Sequence, residues 1–250
     1  GFYTRDDAVK LRDELAGFRE GSLVVSIAGM PHKCPAAPVE FPLIADDWFR
    51  KRGIRDDIDV TYTYPLEEGH AKKSVGDWAL PEMEERGIEA VTGFEVESVG
   101  EDAVVSSDGE EVEYDVLVTI PPHDADDLVS GSGLGDVWVE VNENTLESEN
   151  ADGVYAVGDV ADLPTSKAGS AAHYQAITVA NRIASETRGE TPTATYDGKT
   201  MCFLESGTGK ATYMEFGYGE EPTMRPPSKY IHWAKLAYNE TYWLTARGML

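Results

Sequence analysis

The most informative segment of this chain is Tyr155-Ala-Val-Gly-Asp-Val-Ala-Asp-Leu-Pro-Thr-Ser-Lys-Ala-Gly-Ser-Ala-Ala-His-Tyr-Gln175. Its pattern predicts a buried strand over residues 154–157, a Gly158-Asp159 corner, a polar loop and a helix from about Gly169. Gly158 lets backbone approach a ligand, and Asp159 offers a carboxylate to a hydroxyl. Because open α/β sheets bind ligands at the carboxyl ends of their strands, the segment predicts a ligand site. The alternative is an ordinary strand-turn-helix capped by the aspartate.

The preceding part of the chain alternates apolar runs with helical periodicity. Four runs predict buried strands: residues 22–28, 60–64, 88–92 and 116–120. Thr4-Arg-Asp-Asp7 predicts the start of a helix before the first run, further helices are predicted between the first three runs, and Asp108-Gly109 predicts a tight hairpin. Such alternation favours an α/β unit with a parallel sheet and a small antiparallel insert.

The remainder divides into three stretches. Residues 123–153 are polar and predicted to be loop, residues 201–204 and 211–216 predict a hairpin, and residues 225–250 combine basic and aromatic side chains. We therefore predict three regions: a nucleotide-binding-like region (1–120), a ligand-binding region (121–190), and a hairpin with a tail (191–250).

The formal net charge is −25, with 46 acidic and 21 basic residues. This balance argues against nucleic-acid binding, because phosphate contacts need Lys and Arg. Solubility is one explanation for the charge. We favour adaptation to a salt-rich cytosol, in which salt screens the repulsion between dense carboxylates.

The salt-adaptation hypothesis predicts that the free energy of unfolding rises as KCl increases from low to molar concentration. Denaturant titrations at a series of KCl concentrations measure it, and stability that falls with added salt contradicts the hypothesis.

A loop that contains Cys34 follows the first predicted strand, where a dinucleotide-binding fold would have its nucleotide-binding loop. A dinucleotide site needs Gly-x-Gly-x-x-Gly after its first strand, and Gly29-Met-Pro-His-Lys-Cys34 keeps only the first glycine. A nicotinamide cofactor is therefore not expected there. His32, Lys33 and the following helix N-terminus favour the Cys34 thiolate, which is the reactive form. The other cysteine, Cys202, is by itself equally compatible with a core position.

These features together resemble the sulfide:quinone oxidoreductase family. The Gly158-Asp159 segment resembles the second FAD-contacting motif of two-dinucleotide-domain flavoproteins, and Lys33-Cys34 resembles the family's first redox cysteine. Cys202 follows Tyr196-Asp-Gly198, as the second redox cysteine does in the family, and Glu215-Phe-Gly-Tyr218 resembles its C-terminal hairpin. The resemblance implies a Rossmann-like α/β FAD/NAD(P)-binding two-domain flavoprotein fold that lacks its N-terminal FAD half, ending in a hairpin and an amphipathic helical tail.

The resemblance also implies a reaction. Hydrosulfide attacks a Cys34–Cys202 disulfide, electrons pass to FAD and then to a membrane quinone, and Lys167 lies near the isoalloxazine. The residues implied in FAD binding are Gly158, Asp159, Ser166, Lys167 and Gly169. Those implied in quinone binding are His173, Gln175, Tyr242 and Trp243. No metal site is predicted.

The tail predicts peripheral, monotopic attachment to the cytoplasmic face of the cell membrane, because Trp and Tyr favour the interface and Lys and Arg meet anionic headgroups. A tail packed on its own domain or on a partner subunit is the alternative, and a homo-oligomer is compatible with the sequence. Three other functions stay open: a type II NADH:quinone oxidoreductase, a flavocytochrome c sulfide dehydrogenase-like enzyme, and a truncated, inert chain without FAD.

Overall fold

The computed structural model describes residues 1–247 and residue 249. The predicted tail also includes Gly248 and Leu250, which lie outside the described residues. The helices are α1 (Arg5–Gly17), α2 (Ala37–Arg52), α3 (Lys73–Glu85), α4 (Asp127–Ser132), α5 (Gly169–Thr187) and α6 (Lys229–Ala246). The strands are β1 (Gly21–Ile27), β2 (Ile58–Tyr64), β3 (Ile88–Thr92), β4 (Val96–Val99), β5 (Ala103–Ser106), β6 (Glu111–Glu113), β7 (Val116–Ile120), β8 (Val139–Glu140), β9 (Ala161–Asp162), β10 (Thr200–Glu205) and β11 (Ala211–Phe216).

A four-stranded parallel sheet forms the centre of the first part, in the order β3-β2-β1-β7. All four strands were predicted as apolar runs. In the middle of the sheet, Val25 of β1 pairs with Tyr62 of β2 on one side and with Val118 of β7 on the other. These three side chains have no exposed surface. The continuous apolar runs therefore reflect a sheet buried on both faces, as parallel sheets usually are.

Helices α1, α2 and α3 contribute to the core around this sheet. Leu11 of α1, Phe49 of α2 and Met83 of α3 belong to the same buried cluster as the strands. Thr4 caps α1 by accepting a hydrogen bond from the Asp7 N–H. The predicted helix start is thus confirmed, with the physical basis expected for a Thr cap.

Two predictions about residues 123–157 were wrong. The polar stretch contains the short helix α4, which Asp126 caps through the Leu128 N–H, and the short strand β8. Residues 154–157 form no strand: Tyr155 makes a single bridge to Glu147, and Val157 is 36% exposed. An apolar run becomes a strand only where a neighbouring strand supplies a hydrogen-bond ladder, and here only isolated partners are present.

The C-terminal part contains the predicted hairpin, β10–β11, and the predicted helical tail, α6. Helix α6 packs against both hairpin strands. Ser228 caps α6 by accepting from the Ile231 N–H, and the Ser228 N–H donates to Ala211 at the start of β11. The helix start is thereby attached to the hairpin.

A buried carboxylate joins the elements around α2. Asp46 is fully buried, and its oxygens lie 2.6 Å from Arg55 Nε, 2.9 Å from Arg50 Nε and 3.5 Å from Arg86 Nη1. Arg55 also donates to the Ile58 carbonyl at the start of β2, and Arg86 donates to the Ser206 carbonyl beyond β10. The network therefore connects α2 with the central sheet and with the hairpin.

Replacing Asp46 by Ala should destabilise the protein by about 3 kcal/mol, because it leaves partly buried guanidinium groups without their shared counter-ion. Denaturant titration measures the free energy of unfolding. The control is Asp13→Ala, which breaks the exposed Arg12–Asp13 pair and should change stability by less than about 1 kcal/mol. Equal effects of the two variants contradict the assigned role of the network.

Candidate functional site

The cysteine loop, residues 29–36, follows the carboxyl end of β1 and leads into α2. The Cys34 N–H donates to the Lys167 carbonyl at 2.8 Å, and the Cys34 carbonyl accepts from Ala37 at 2.9 Å. Cys34 is exposed and has φ of 45°, a left-handed conformation that non-glycine residues seldom adopt. Such strained backbone is often found at functional positions, where the surrounding contacts hold it in place.

Cys202 lies on β10 opposite Met214 of β11 and is partly exposed. Burial raises the pKa of Cys202 to about 12, and the negative charge of a Cys34 thiolate is the next contribution to this rise. Glu40 and Lys235 influence the pKa of both thiols. The structure thus brings Cys34 and Cys202, both free thiols, into one electrostatic environment.

The expectation of a Cys34 thiolate was wrong. Desolvation raises the pKa of Cys34, and Glu40 raises it further. His32, expected to supply positive charge, is only 2% exposed, and burial lowers the pKa of its imidazole. The ring is therefore neutral. Sequence proximity suggested a cationic neighbour, whereas the fold removes that neighbour from water and so from its charged form.

A set of charged residues next to the cysteines was not predicted from the sequence. Lys235 Nζ of α6 lies 2.7 Å from Glu40 of α2 and 3.5 Å from Glu205 of β10, and Glu205 lies 2.9 Å from His232 Nδ1. Burial raises the pKa of Glu40, and Lys235 opposes this rise. The set joins three elements remote in sequence, so no local pattern marks it. Its one local signal is that Glu40 lies on the helix that follows Cys34.

The Gly158-Asp159 corner lies beside the cysteine loop. Gly158 has φ of 79°, and its N–H donates to Gln175 Oε1 at 2.6 Å. Lys167 Nζ donates to the Asp159 carbonyl at 2.7 Å and lies 3.6 Å from the centroid of the Trp138 ring. Burial lowers the pKa of Lys167. Gln175, predicted to contact quinone, is buried and instead supports the corner.

A cavity of about 290 Å³ separates the cysteine loop from the segment that contains Lys167. Its polar lining includes His32, His70, Lys72, Ser166 and Lys167, and Trp138, Met214 and Phe216 provide apolar surface. His70 accepts from the Lys72 N–H, and burial lowers the pKa of its imidazole to about 4. The lining also includes the Asp162 carboxylate, so the cavity combines a largely apolar wall with two lysine cations and one carboxylate, and the net positive charge suits a planar, partly anionic ring system.

The remaining predicted residues lie towards α6. His173 of α5 lies 6.4 Å from Tyr242 of α6 between ring centroids, and Tyr242 lies 5.8 Å from Trp243. Trp243 is 68% exposed. Gly169 is the first residue of α5, whose second residue, Ser170, donates to the Met201 carbonyl of β10. The helix that follows the corner is thus attached to the strand that contains Cys202.

The residues at the corner fit FAD. Asp159 holds Lys167 through its backbone oxygen, which leaves its half-buried carboxylate available to a ribityl hydroxyl. The cysteine loop does not fit a second dinucleotide, because Pro31 and Cys34 occupy the positions of the second and third glycines of a Gly-x-Gly-x-x-Gly loop. The site therefore has the groups for one flavin and lacks the glycine cradle for a pyrophosphate.

Comparisons with known proteins agree with this geometry. Residues 48–184 match the pyridine nucleotide-disulphide oxidoreductase family. The chain is 27% identical to the mitochondrial sulfide:quinone oxidoreductase of Mus musculus over 218 residues, 83% of this chain and 48% of the relative. The corresponding protein of Schizosaccharomyces pombe is 30% identical over 201 residues, 76% of this chain and 44% of the relative. This chain thus spans about half the length of the curated relatives it matches.

A solved structure shows the same fold. The sulfide:quinone oxidoreductase of Aquifex aeolicus superposes with a TM-score of 0.78 at 19% identity. The match covers 97% of this chain and 62% of the other. The described chain therefore has the fold of part of a two-domain flavoprotein.

The raised thiol pKa values predict slow alkylation. In a Cys34→Ser variant the charge of Cys34 no longer contributes, but burial, the largest cause, and Glu40 still raise the pKa of Cys202 and so reduce its thiolate fraction at neutral pH. A more basic thiolate is also more nucleophilic, which offsets part of the effect of the smaller thiolate fraction. The alkylation rate of Cys202 should therefore be lower than that of a cysteine peptide by roughly tenfold or more. Iodoacetamide kinetics with Cys34→Ser, which leaves only Cys202, measures it as pH rises from about 7.

The control variant is Glu40→Gln in the same background. Removing this carboxylate lowers the pKa of Cys202, so alkylation at neutral pH should accelerate. A rate that levels off below about pH 9 in the parent protein shows instead an ordinary, solvated thiol.

Proposed function

Because this chain belongs to the pyridine nucleotide-disulphide oxidoreductase family, we propose that the whole protein is an FAD-dependent sulfide:quinone oxidoreductase. The observation that supports this most is the meeting of two cysteines beside a flavin-compatible corner. The Cys34 N–H donates to the Lys167 carbonyl, and the Glu40 carboxylate raises the pKa of both Cys34 and Cys202. A cysteine pair next to a flavin is suited to two-electron oxidation of a sulfur nucleophile.

The proposed reaction begins with a disulfide between Cys34 and Cys202. A hydrosulfide sulfur attacks one cysteine sulfur, a new sulfur–sulfur bond forms, and the bond between the cysteines breaks. The attacked cysteine becomes a persulfide, and the other is released as a thiolate. The disulfide has gained two electrons, and the sulfide sulfur has become the sulfane sulfur of the persulfide. Attack of a second hydrosulfide on the outer sulfur of the persulfide breaks its sulfur–sulfur bond and releases a hydrodisulfide product and the second cysteine thiolate. The two cysteine thiolates re-form the disulfide by giving two electrons to the acceptor that FAD would supply when bound, and later turnovers extend the product towards polysulfide.

Glu40 is the acid–base group that gives a proton to the thiolate released from the disulfide. The raised pKa of each thiol favours protonation of the thiolate, and Glu40 is a carboxylate whose pKa burial has raised. Lys235, 2.7 Å from Glu40, keeps the proton exchange reversible by stabilising the ionised carboxylate. These residues thus provide an acid–base group within the site, as thiol–disulfide chemistry requires.

FAD, when bound, supplies the two-electron acceptor and passes the electrons on to quinone. Gly158 allows close approach of backbone, Asp159 accepts from a hydroxyl, and Ser166 and Gly169 complete the loop that leads to α5. Lys167 provides positive charge beside the cavity, where a reduced ring would concentrate negative charge. His173, Tyr242 and Trp243 form a cluster of mutually tilted rings, with interplanar angles of 59° and 67°, that offers aromatic edges and faces to a quinone ring.

Replacing Cys34 or Cys202 by Ser should lower sulfide-dependent reduction of a short-chain quinone by roughly a hundredfold or more, because each variant removes the disulfide. The assay uses the whole protein in molar KCl, with flavin absorbance recorded for every variant. The matched control is Thr212→Ser, which keeps the hydroxyl that donates to the Arg225 carbonyl on the same hairpin. Full activity in both cysteine variants excludes this mechanism.

Helix α6 provides the surface for peripheral membrane attachment. Its outward face exposes a row of large apolar side chains: Tyr230 (68%), Trp233 (56%), Leu236 (48%), Trp243 (68%) and Leu244 (39%). Lys229 and Arg247 lie at its two ends. Within the described residues, no helix combines the length and the apolarity needed to cross a bilayer. We propose that α6 lies in the plane of the interface, on the cytoplasmic face of the cell membrane.

Replacing both Trp233 and Trp243 by Ala should weaken binding to anionic phospholipid vesicles by about tenfold or more, since two large apolar side chains no longer enter the interface. Vesicle co-sedimentation measures the partition. The control is Leu128→Ala on α4, an equally exposed apolar residue (75%) away from the row. Undiminished binding of the double variant rejects the attachment by α6.

A further inference from the structure

The peptide that precedes Cys34 is held by side chains from two remote parts of the chain. The Lys33 N–H donates to His123 Nδ1 at 3.0 Å, and Tyr3 Oη donates to the Lys33 carbonyl at 2.8 Å. The His123 backbone N–H also donates to the Pro31 carbonyl at 2.8 Å. His123 therefore holds the cysteine loop at two points, one through its backbone and one through its ring.

The hydrogen bond from Lys33 determines the tautomer of His123. A backbone N–H can only donate, so Nδ1 must carry a lone pair and the proton of the neutral ring must lie on Nε2. A protonated imidazole has donors on both nitrogens and cannot accept this bond. The contact consequently exists only while His123 is neutral.

Several groups set the charge state of His123. Burial lowers the pKa of its imidazole, and the charge of Lys33 lowers it further, whereas Asp159 and Asp124 raise it. Tyr3 packs edge-on at 4.5 Å between ring centroids, and neutral His32 lies nearby on the cysteine loop. His123 is partly exposed, so protons from the solvent can reach it. Together these groups lower the pKa of His123, so its ring is neutral at pH 7 and becomes protonated in the acid range.

We propose that His123 is the positioning residue for Cys34: it fixes the Lys33 peptide, and its protonation releases that peptide. The inference rests on the proposed function only in taking Cys34 as a reacting thiol. Cys34 has φ of 45°, so its conformation depends on contacts that oppose relaxation. Once the Lys33 N–H is released, the loop can relax and move the Cys34 sulfur relative to Cys202. A displacement of about 1 Å is enough to slow a reaction strongly.

The experiment compares His123→Asn with His123→Leu. The Asn Oδ1 replaces Nδ1 as acceptor but does not titrate, and Leu removes the acceptor while keeping bulk. Hydrogen exchange of the Lys33 amide, corrected for intrinsic rate, is measured on the whole protein at about pH 8 and about pH 5. Wild-type protection should fall about fivefold or more on acidification, since one hydrogen bond is lost. The Asn variant should stay protected at both pH values, and the Leu variant at neither.

A second measurement follows the Cys34 sulfur in the Cys202→Ser background. The rate with a dipyridyl disulfide, which reacts in acid, has an intrinsic pH dependence from the thiol and the reagent, and His123 should add a further change between the two pH values that is missing in the H123N variant. The proposal is overturned if the rate changes between the two pH values by the same factor in the protein with His123 and in the H123N variant. Full protection of the Lys33 amide from hydrogen exchange in H123L also overturns it. Neither readout uses sulfide or quinone. The role of His123 can therefore be confirmed even if the proposed function is wrong, and the proposed function can hold even if His123 does not position Cys34.

Discussion

The attachment of the β10–β11 hairpin to α2 is the constraint on which the site depends. Glu40 accepts the Glu205 N–H, Asp47 accepts the Thr208 N–H, and Arg86 bridges from Asp46 and Asp47 to the Ser206 carbonyl. Two carboxylates of α2, Glu40 and Asp47, thus contact this turn directly, and Asp46 reaches it through Arg86. Because α2 begins just after Cys34 and the turn follows the strand that contains Cys202, these contacts fix the two cysteine-bearing segments relative to each other.

The same contacts determine the chemistry of the site. Bringing the hairpin onto α2 reduces the solvation of Glu40 and of both cysteines, although Cys34 keeps exposed surface, and desolvation is the largest cause of their raised pKa values. Lys235 then enters from α6 and compensates the carboxylates of Glu40 and Glu205. The resulting site keeps protons on sulfur at neutral pH and holds Glu40 and Glu205 paired with Lys235. A reduced thiol held in its protonated form reacts slowly with adventitious oxidants.

Helix α6 combines two surfaces with different physical character. On its inward side Lys235 forms ion pairs with Glu40 and Glu205 and His232 contacts Glu205, whereas its outward face exposes large apolar and aromatic side chains. Attachment of that outward face to a membrane would place the acidic bulk of the protein, with its net charge of −25, on the aqueous side. The helix therefore connects a hydrophobic surface directly to the charged groups that influence the thiols. This arrangement suits electron transfer to an acceptor that dissolves in lipid.

The amino-acid sequence by itself determined the alternation of strands and helices through residue 120, the β10–β11 hairpin, the helical tail, the Gly158-Asp159 corner and the two candidate cysteines. These features follow from short-range properties: apolar periodicity, capping side chains and glycine at positive φ. Tertiary structure alone decided that residues 154–157 lack a ladder, that His32 is neutral, and that Glu40, Lys235 and His123 surround the cysteines. Strand pairing, desolvation and ion pairing depend on partners distant in the chain, and no local pattern contains them.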